Sequence, residues 1–169
     1  MMSTATITKQ GVQDIVSEEQ WERLVALFDE NPDRVRRYVT RLSFMPGDEV
    51  HAKAIDAFRI LSRERASKHP QFFLETIRRH MWAMNDEGAN DDWSAPEIVC
   101  AIIAGDPQRF NQFYSYVYSA AIDELMFQPS LLRASDLLIE HAPEVVSDFR
   151  EQIEELRKSV GKRDDYFAR

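Results

Sequence analysis

Apolar residues recur along this chain at spacings of three and four positions, and the arrangement repeats around four prolines. The prolines lie 38, 37 and 36 residues apart, at Pro32, Pro70, Pro107 and Pro143. Three positions after each proline stands an apolar residue, in order Val35, Phe73, Phe110 and Val146. Such spacings place side chains on one face of an α-helix. The pattern therefore predicts pairs of short amphipathic helices. Each proline opens the second helix of its pair, because a first-turn N–H has no intrahelical partner.

A helix pair that recurs at a period of roughly 20 to 50 residues is typical of a repeat protein, since stacked neighbours bury apolar faces that one pair cannot bury alone. No run alternates between apolar and polar residues with the period of a strand. We therefore predict an all-α protein, an α-solenoid of about four antiparallel helix pairs. The predicted helices span 17–29, 32–43, 48–68, 70–84, 94–104, 107–120, 129–141 and 143–159.

Helix starts and domain limits carry further signals. Ser17 with Gln20, and Ser94 with Glu97, have the spacing of a capping box and favour helix starts at both places. The predicted division is a poorly ordered N-terminal segment, a single repeat domain and a C-terminal tail, at 1–16, 17–159 and 160–169.

The composition fits one globular domain. With 169 residues, 44% of them hydrophobic, the chain can bury a sizeable core. It contains no apolar stretch of about 18 residues, and residues 1–11 lack the apolar segment of a signal peptide. We therefore expect a cytoplasmic protein without a membrane span. The single cysteine, Cys100, lies in the apolar run 98–103 and is predicted to be a buried hydrophobe rather than a nucleophile.

Charge is distributed unevenly along a chain whose net charge is −8. Residues 1–84 carry 13 Lys and Arg against 12 Asp and Glu, whereas residues 85–169 carry 8 against 17. An acidic protein of this kind is a poor partner for nucleic acid, because phosphates require Lys and Arg. A protein is the expected partner.

Basic residues are concentrated between residues 31 and 80, a segment that contains 11 basic and 6 acidic residues. They form either a solvated face or a stripe that binds an acidic partner, with a DNA-backbone site as a further alternative. The stripe would also take in Arg36 and the basic residues of helix 48–68. The arginines selected as candidates for partner binding are Arg34, Arg37, Arg41, Arg78 and Arg79.

A second candidate is the acidic segment that joins the second and third repeats, between Trp82 and Trp93. Its carboxylates are Asp86, Glu87, Asp91 and Asp92. A calcium loop starting at Asp86 would need glycine at its sixth position, which is Asp91, so a metal site is disfavoured. Either the tryptophans pack on the core while the acids face water, or the segment is a recognition loop.

Tyr116 falls off the apolar face of its helix and is a candidate interface anchor.

Residue patterns typical of catalysis are missing from the sequence. It has no glycine-rich phosphate loop and no Gly-x-Ser-x-Gly, and its histidines lack the spacing of a zinc site. We therefore predict no catalytic residue, no metal and no cofactor.

Two stretches, Leu132–Val145 and Ala95–Pro107, resemble the phycobilisome-lyase type of HEAT-like repeat, in which an Arg-x-x-Ala-x-x-x-Leu helix ends near Gly-Asp-Pro. Residues 82–97 further resemble a small bacterial HEAT-like group with a Trp-x-x-Asn-Asp-Glu loop before a Trp-x-Ala-Pro-Glu helix. The resemblance covers residues 80–145 and is only periodic over 17–80. It implies an α-solenoid that binds protein.

Three functions are consistent with these features. The leading hypothesis is a non-catalytic interaction module that serves another protein as an accessory, assembly or maturation factor. The resemblance to bilin lyases would also allow a bilin- or cofactor-handling lyase or chaperone-like protein. The third is a HEAT-like DNA-binding protein that uses the basic residues between 31 and 80.

Overall fold

A computed structural model of the protein describes residues 6–44, 49–85 and 93–167. Every element in these ranges is a helix, which confirms the predicted all-α class. The helices are α1 (Lys9–Ser17), α2 (Trp21–Glu30), α3 (Pro32–Leu42), α4 (Glu49–Arg65), α5 (Pro70–Asn85), α6 (Ala95–Gly105), α7 (Pro107–Phe110), α8 (Phe113–Ala121), α9 (Gln128–His141), a 3₁₀ helix (Pro143–Phe149) and α10 (Arg150–Phe167). None of these helices is both long and apolar enough to cross a membrane.

Helix α1 lies where the sequence pattern predicts a poorly ordered segment over 1–16, and that prediction is wrong for the described part of the segment. Thr8 caps the helix by accepting the Gly11 N–H at 3.0 Å. Val12 and Val16 are fully buried, and α1 packs against α2, α3 and α4. An apolar face at four-residue spacing therefore orders this short helix, as it does the longer ones.

Both capping-box interpretations are wrong. Ser17 is the last residue of α1, and α2 starts four residues later at Trp21, after a turn in which Glu19 has a φ of 54°. The predicted start near Ser94 is close to that of α6, but Ser94 makes no side-chain capping bond there. Its hydroxyl donates instead to the carbonyl oxygen of Ser43, at the end of α3. The Ser94 hydroxyl therefore makes a hydrogen bond to another helix end in place of a capping bond within α6.

All four periodic prolines begin helices, but the helices differ. Pro32 and Pro70 open α-helices of 11 and 16 residues, Pro107 opens a single turn, and Pro143 opens a 3₁₀ helix. The apolar residues three positions later share one property, since none is more than 1% exposed: Val35, Phe73, Phe110 and Val146. The repeat therefore describes core contacts more faithfully than helix lengths.

The C-terminal third departs from the predicted helices in two places. The helix predicted over 107–120 divides into α7 and α8 at Asn111–Gln112, and α10 continues to Phe167 through the predicted tail at 160–169. Val160, 8% exposed, joins the hydrophobic core and holds the extended helix against it. The sequence leaves the order of the tail open, and the structure shows it helical as far as Phe167.

Helix α6 is the centre of the core. All residues from Ala95 to Ile103 are buried, and the helix packs against α4, α5, α8 and α9. A helix that is buried on every side is enclosed by its neighbours, and apart from Glu97 the buried residues of α6 are apolar. Cys100 is fully buried within it, as predicted, and burial raises the pKa of its thiol.

Candidate binding surface

Arginines from α3 and α5 meet across a cleft of about 340 Å³. Arg36, Arg37 and Arg41 line it from α3, and Arg79 lines it from α5. The remaining wall consists of Thr40, Phe44, Thr76 and His80. We call this feature the arginine cleft. It joins three of the five arginines that the sequence selects and adds Arg36.

Positive charge in the arginine cleft is only partly compensated by the described residues. Asp33 lies 3.4 Å from Arg36, on the exposed side of α3. Burial lowers the pKa of Arg36, and the neighbouring charge of Arg79 lowers it further. Within residues 6–44, 49–85 and 93–164, no carboxylate forms an ion pair with Arg37, Arg41 or Arg79. As far as the described residues show, these three arginines therefore present N–H donors and uncompensated charge to solvent.

Arg36 is fixed by packing as well as by charge. Its guanidinium lies 5.5 Å from the centre of the Phe72 ring, in cation–π geometry. Arg37 has a similar contact with Tyr38 at 5.9 Å. Both guanidiniums are thus held near the cleft by aromatic faces. A ring face occupies no N–H donor, so those of Arg37 stay available to an anion, whereas Arg36 also pairs with Asp33.

Other basic residues of the segment lie elsewhere. Arg34 and Arg78 do not line the cleft, and Arg78 lies 3.4 Å from Glu75. On α4, Arg59 pairs with Asp56 at 2.6 Å. Arg65 holds both oxygens of Asp29 at 2.6 and 2.7 Å. A continuous stripe along successive helices is therefore not formed, because the arginines of α4 are neutralised within the chain.

Aromatic side chains stay exposed on this otherwise well-packed protein. The exposed fraction is 67% for Trp82, 61% for Tyr116, 47% for Trp93 and 46% for Phe44. Trp82 therefore does not pack on the core, whereas the exposure expected for Tyr116 is confirmed. The sequence analysis did not select three of the exposed apolar side chains: Phe44, Leu125 and Met126. Four selected carboxylates lie outside the described residues: Asp86, Glu87, Asp91 and Asp92.

A buried polar network, missed by the sequence pattern, joins three helices around Glu97. One oxygen of Glu97, Oε2, lies 3.0 Å from Nε2 of His51 on α4. The other, Oε1, accepts from the hydroxyl of Ser130 at 3.0 Å and from Nε of Arg133 at 3.1 Å, both on α9. Glu97 and His51 are each only 5% exposed. We call these four residues the Glu97 network.

The network also completes the end of α3. Nδ1 of His51 lies 2.7 Å from the carbonyl oxygen of Ser43 and must donate to it, since a carbonyl only accepts. Ser94 donates to the same oxygen. The last carbonyls of a helix lack intrahelical partners and favour positive charge, so a protonated His51 suits this position.

Electrostatics favour the charged forms of both partners. The hydrogen bond with Glu97 raises the pKa of His51 above its ordinary value, against the opposing effect of burial. Burial alone would raise the pKa of Glu97, but the hydrogen bond from His51 and the charge of Arg133 outweigh it and hold that pKa below its ordinary value. Both oxygens of Glu97 are occupied by the protein's own donors. The network therefore serves as a structural tie between α3, α4, α6 and α9.

Stability should consequently depend on pH through this pair. The His51 contribution is complete below the ordinary pKa of 6.5 and is lost as the pH rises through its raised value in the folded protein. The Glu97 contribution is complete above 4.5 and is lost as the pH falls through its lowered folded value. We expect the unfolding free energy of the wild type, minus that of His51→Gln, to be greatest between these two values. Urea titrations across the range measure it, and a flat difference would contradict the assignment.

Comparison of the chain with known protein families, with curated proteins and with solved structures finds no match.

Proposed function

We propose that this protein is a non-catalytic interaction module, an α-solenoid of about four HEAT-like helix pairs that docks on another protein as an accessory, assembly or maturation factor. Its all-helical fold and a central helix enclosed by α4, α5, α8 and α9 support the stacked arrangement. The periodic prolines, with buried residues three positions later, support the repeat. A scaffold of this kind offers a long surface for a partner.

The observation that carries the proposal is the exposure of Trp82 beside the arginine cleft. Trp82 follows Arg79 by three positions on α5, and residues at that spacing are neighbours on a helix surface. Tryptophan and arginine are the residues most enriched among the strongest contributors to protein interfaces. The Trp82 side chain is two-thirds exposed, and the neighbouring Arg79 has no ion pair among the described residues. A partner that covers both side chains best explains this arrangement.

Affinity capture from the native cells at low salt, followed by identification of any stoichiometric partner and calorimetry with the purified proteins, tests the proposal. We expect binding to weaken by at least about 30-fold in Trp82→Ala, the loss typical of a central interface aromatic. Leu125→Ala removes an exposed apolar side chain of the α8–α9 turn and should leave the affinity nearly unchanged. Failure to recover any stoichiometric partner would contradict the proposal.

A further inference from the structure

We infer that the arginine cleft is the site at which a carboxylate-rich peptide segment of the partner protein binds. This inference rests on the proposed function and specifies the chemistry of the partner. Three observations carry it: the clustering of guanidiniums across the cleft, their lack of neutralisation compared with other arginines of the chain, and the size and lining of the cleft.

Clustering brings like charges together from two helices. Arg37 and Arg41 stand one turn apart on α3, and Arg79 faces them from α5. The largely buried Arg36 also lines the cleft. Charges of one sign repel each other in the free protein, and the repulsion is relieved when an anion enters between them. The planar N–H pairs of arginine fit the two oxygens of a carboxylate.

The contrast with α4 shows that the uncompensated charge is a local feature. Arg59 and Arg65 are placed 2.6 Å from Asp56 and Asp29, so their charges are met within the chain. In the described part of the protein, Arg37, Arg41 and Arg79 have no such carboxylate. Among the described residues these three cations therefore stay unpaired and open to solvent, where a partner's carboxylates can reach them.

Size and surroundings favour a peptide over a nucleic acid. A volume of about 340 Å³ accommodates a few side chains rather than a duplex backbone. The protein carries a net charge of −8, so a polyphosphate is repelled at long range, whereas a short acidic segment needs only the local match. Phe44, 46% exposed on the cleft wall, offers an apolar contact beside the arginines, which suits a segment that mixes acidic and apolar residues.

A second copy of this chain is a less suitable occupant. The acidic half, 85–169, could in principle reach the cleft of a neighbour. Such a contact joins two different surfaces of the same chain, and it produces open filaments unless the rotation closes a ring. A separate partner meets the charge requirement without that consequence.

Fluorescence anisotropy of the full chain tests the inference. The probe is a short fluorescein-labelled peptide of alternating glutamate and leucine; the reference probes are the same peptide with glutamine for glutamate and a labelled oligothymidylate. We expect the glutamate peptide to bind, its affinity to fall with added salt, and both reference probes to bind at least about tenfold more weakly. Inorganic phosphate at the same ionic strength as a chloride control should compete only weakly, since a free anion lacks the apolar contact.

Matched double variants separate the cleft from the general charge of the two helices. Arg37→Gln with Arg79→Gln removes one cation from each wall, and should weaken binding of the glutamate peptide by at least about tenfold. Arg34→Gln with Arg78→Gln removes the same charge from the same helices outside the cleft, and should change binding by less than about twofold. Circular dichroism verifies that both variants keep their helix content.

Several results would overturn the inference: no binding of the glutamate peptide, equal losses in the two double variants, equal binding of the glutamine peptide, or tighter binding of the oligothymidylate. Sedimentation that shows self-association abolished by the cleft variant would assign the cleft to a second copy instead. If a captured partner depends on Trp82 while the glutamate peptide does not bind, the proposed function stands and only the assignment of the cleft fails.

Discussion

Replacing Glu97 with alanine is expected to destabilise the protein by about 3 to 5 kcal/mol at slightly acidic pH, where His51 carries its proton. The substitution removes both oxygens that hold the Glu97 network. It leaves a buried imidazolium without its counter-charge, and leaves Ser130 and Arg133 without their acceptor. Domain stabilities are of the order of 5 to 15 kcal/mol, so the loss would be a large part of the total. Urea denaturation followed by far-UV circular dichroism measures it.

Two controls make the prediction specific. Glu97→Gln can still accept from Ser130, and its amide can donate to Nε2 of a neutral His51 whose Nδ1–H remains bound to Ser43. This variant should therefore recover much of the loss as the pH rises. Glu151→Ala, at an exposed position of α10, should change stability by no more than about 0.5 kcal/mol. Equal effects of alanine at both positions would contradict the role assigned to Glu97.

Gly105→Ala is expected to cost at least about 2 kcal/mol, because α4 and α6 approach each other where a side chain has no room. A Cβ atom at Gly105 would lie 2.7 Å from Cβ of Ser62 and 2.8 Å from the backbone nitrogen of Arg63, and closer still to the carbonyl oxygen of Arg59. Two of these atoms belong to the α4 backbone and cannot move without displacing the helix. The Ser62 hydroxyl donates to the Ile102 carbonyl at 2.7 Å and holds the two helices at this separation.

Gly161→Ala is the matched control. Nothing lies within 4 Å of a Cβ atom there, and the residue is inside α10. Alanine favours a helix interior over glycine by about 1 kcal/mol, so the same substitution should stabilise the protein at this position. Thermal or urea denaturation of both variants measures the change in unfolding free energy, which should be negative for Gly105→Ala and positive for Gly161→Ala. A neutral or stabilising effect at Gly105 would show that the helices separate more easily than their contact indicates.

Much of the core could be predicted from local pattern. The residues three positions after each periodic proline are all buried, because helical spacing places them on the inner face whatever the length of the helix. The burial of Cys100 and the exposure of Tyr116 follow from the same reasoning. The pattern missed α1, which packs against α2, α3 and α4, and it did not decide the order of the last residues, where α10 packs against α9 and the 3₁₀ helix.

The candidate binding surface was only partly accessible to such reasoning. Clustered arginines are visible in the sequence, but Arg37, Arg41 and Arg79 line one cleft between α3 and α5, whereas Arg59 and Arg65 are neutralised by carboxylates. The pair of Arg59 with Asp56 is local, at positions i and i+3, but the partner of Arg65 stands on another helix. Sequence spacing alone therefore does not separate the two groups. The position of Glu97 in the sequence Trp-Ser-Ala-Pro-Glu suggests a helix-capping residue. Nothing in that sequence indicates its buried hydrogen bond with His51.

Periodicity and proline placement thus establish a helical protein, most of its helices and many of its buried positions, since these depend on side-chain spacing within one helix. Long-range packing establishes the rest: the enclosure of α6, the arginine cleft, the Glu97 network and the close contact at Gly105. Each of those features brings together residues of different helices, such as His51 with Glu97, and the free energy that selects them arises only when the helices are packed.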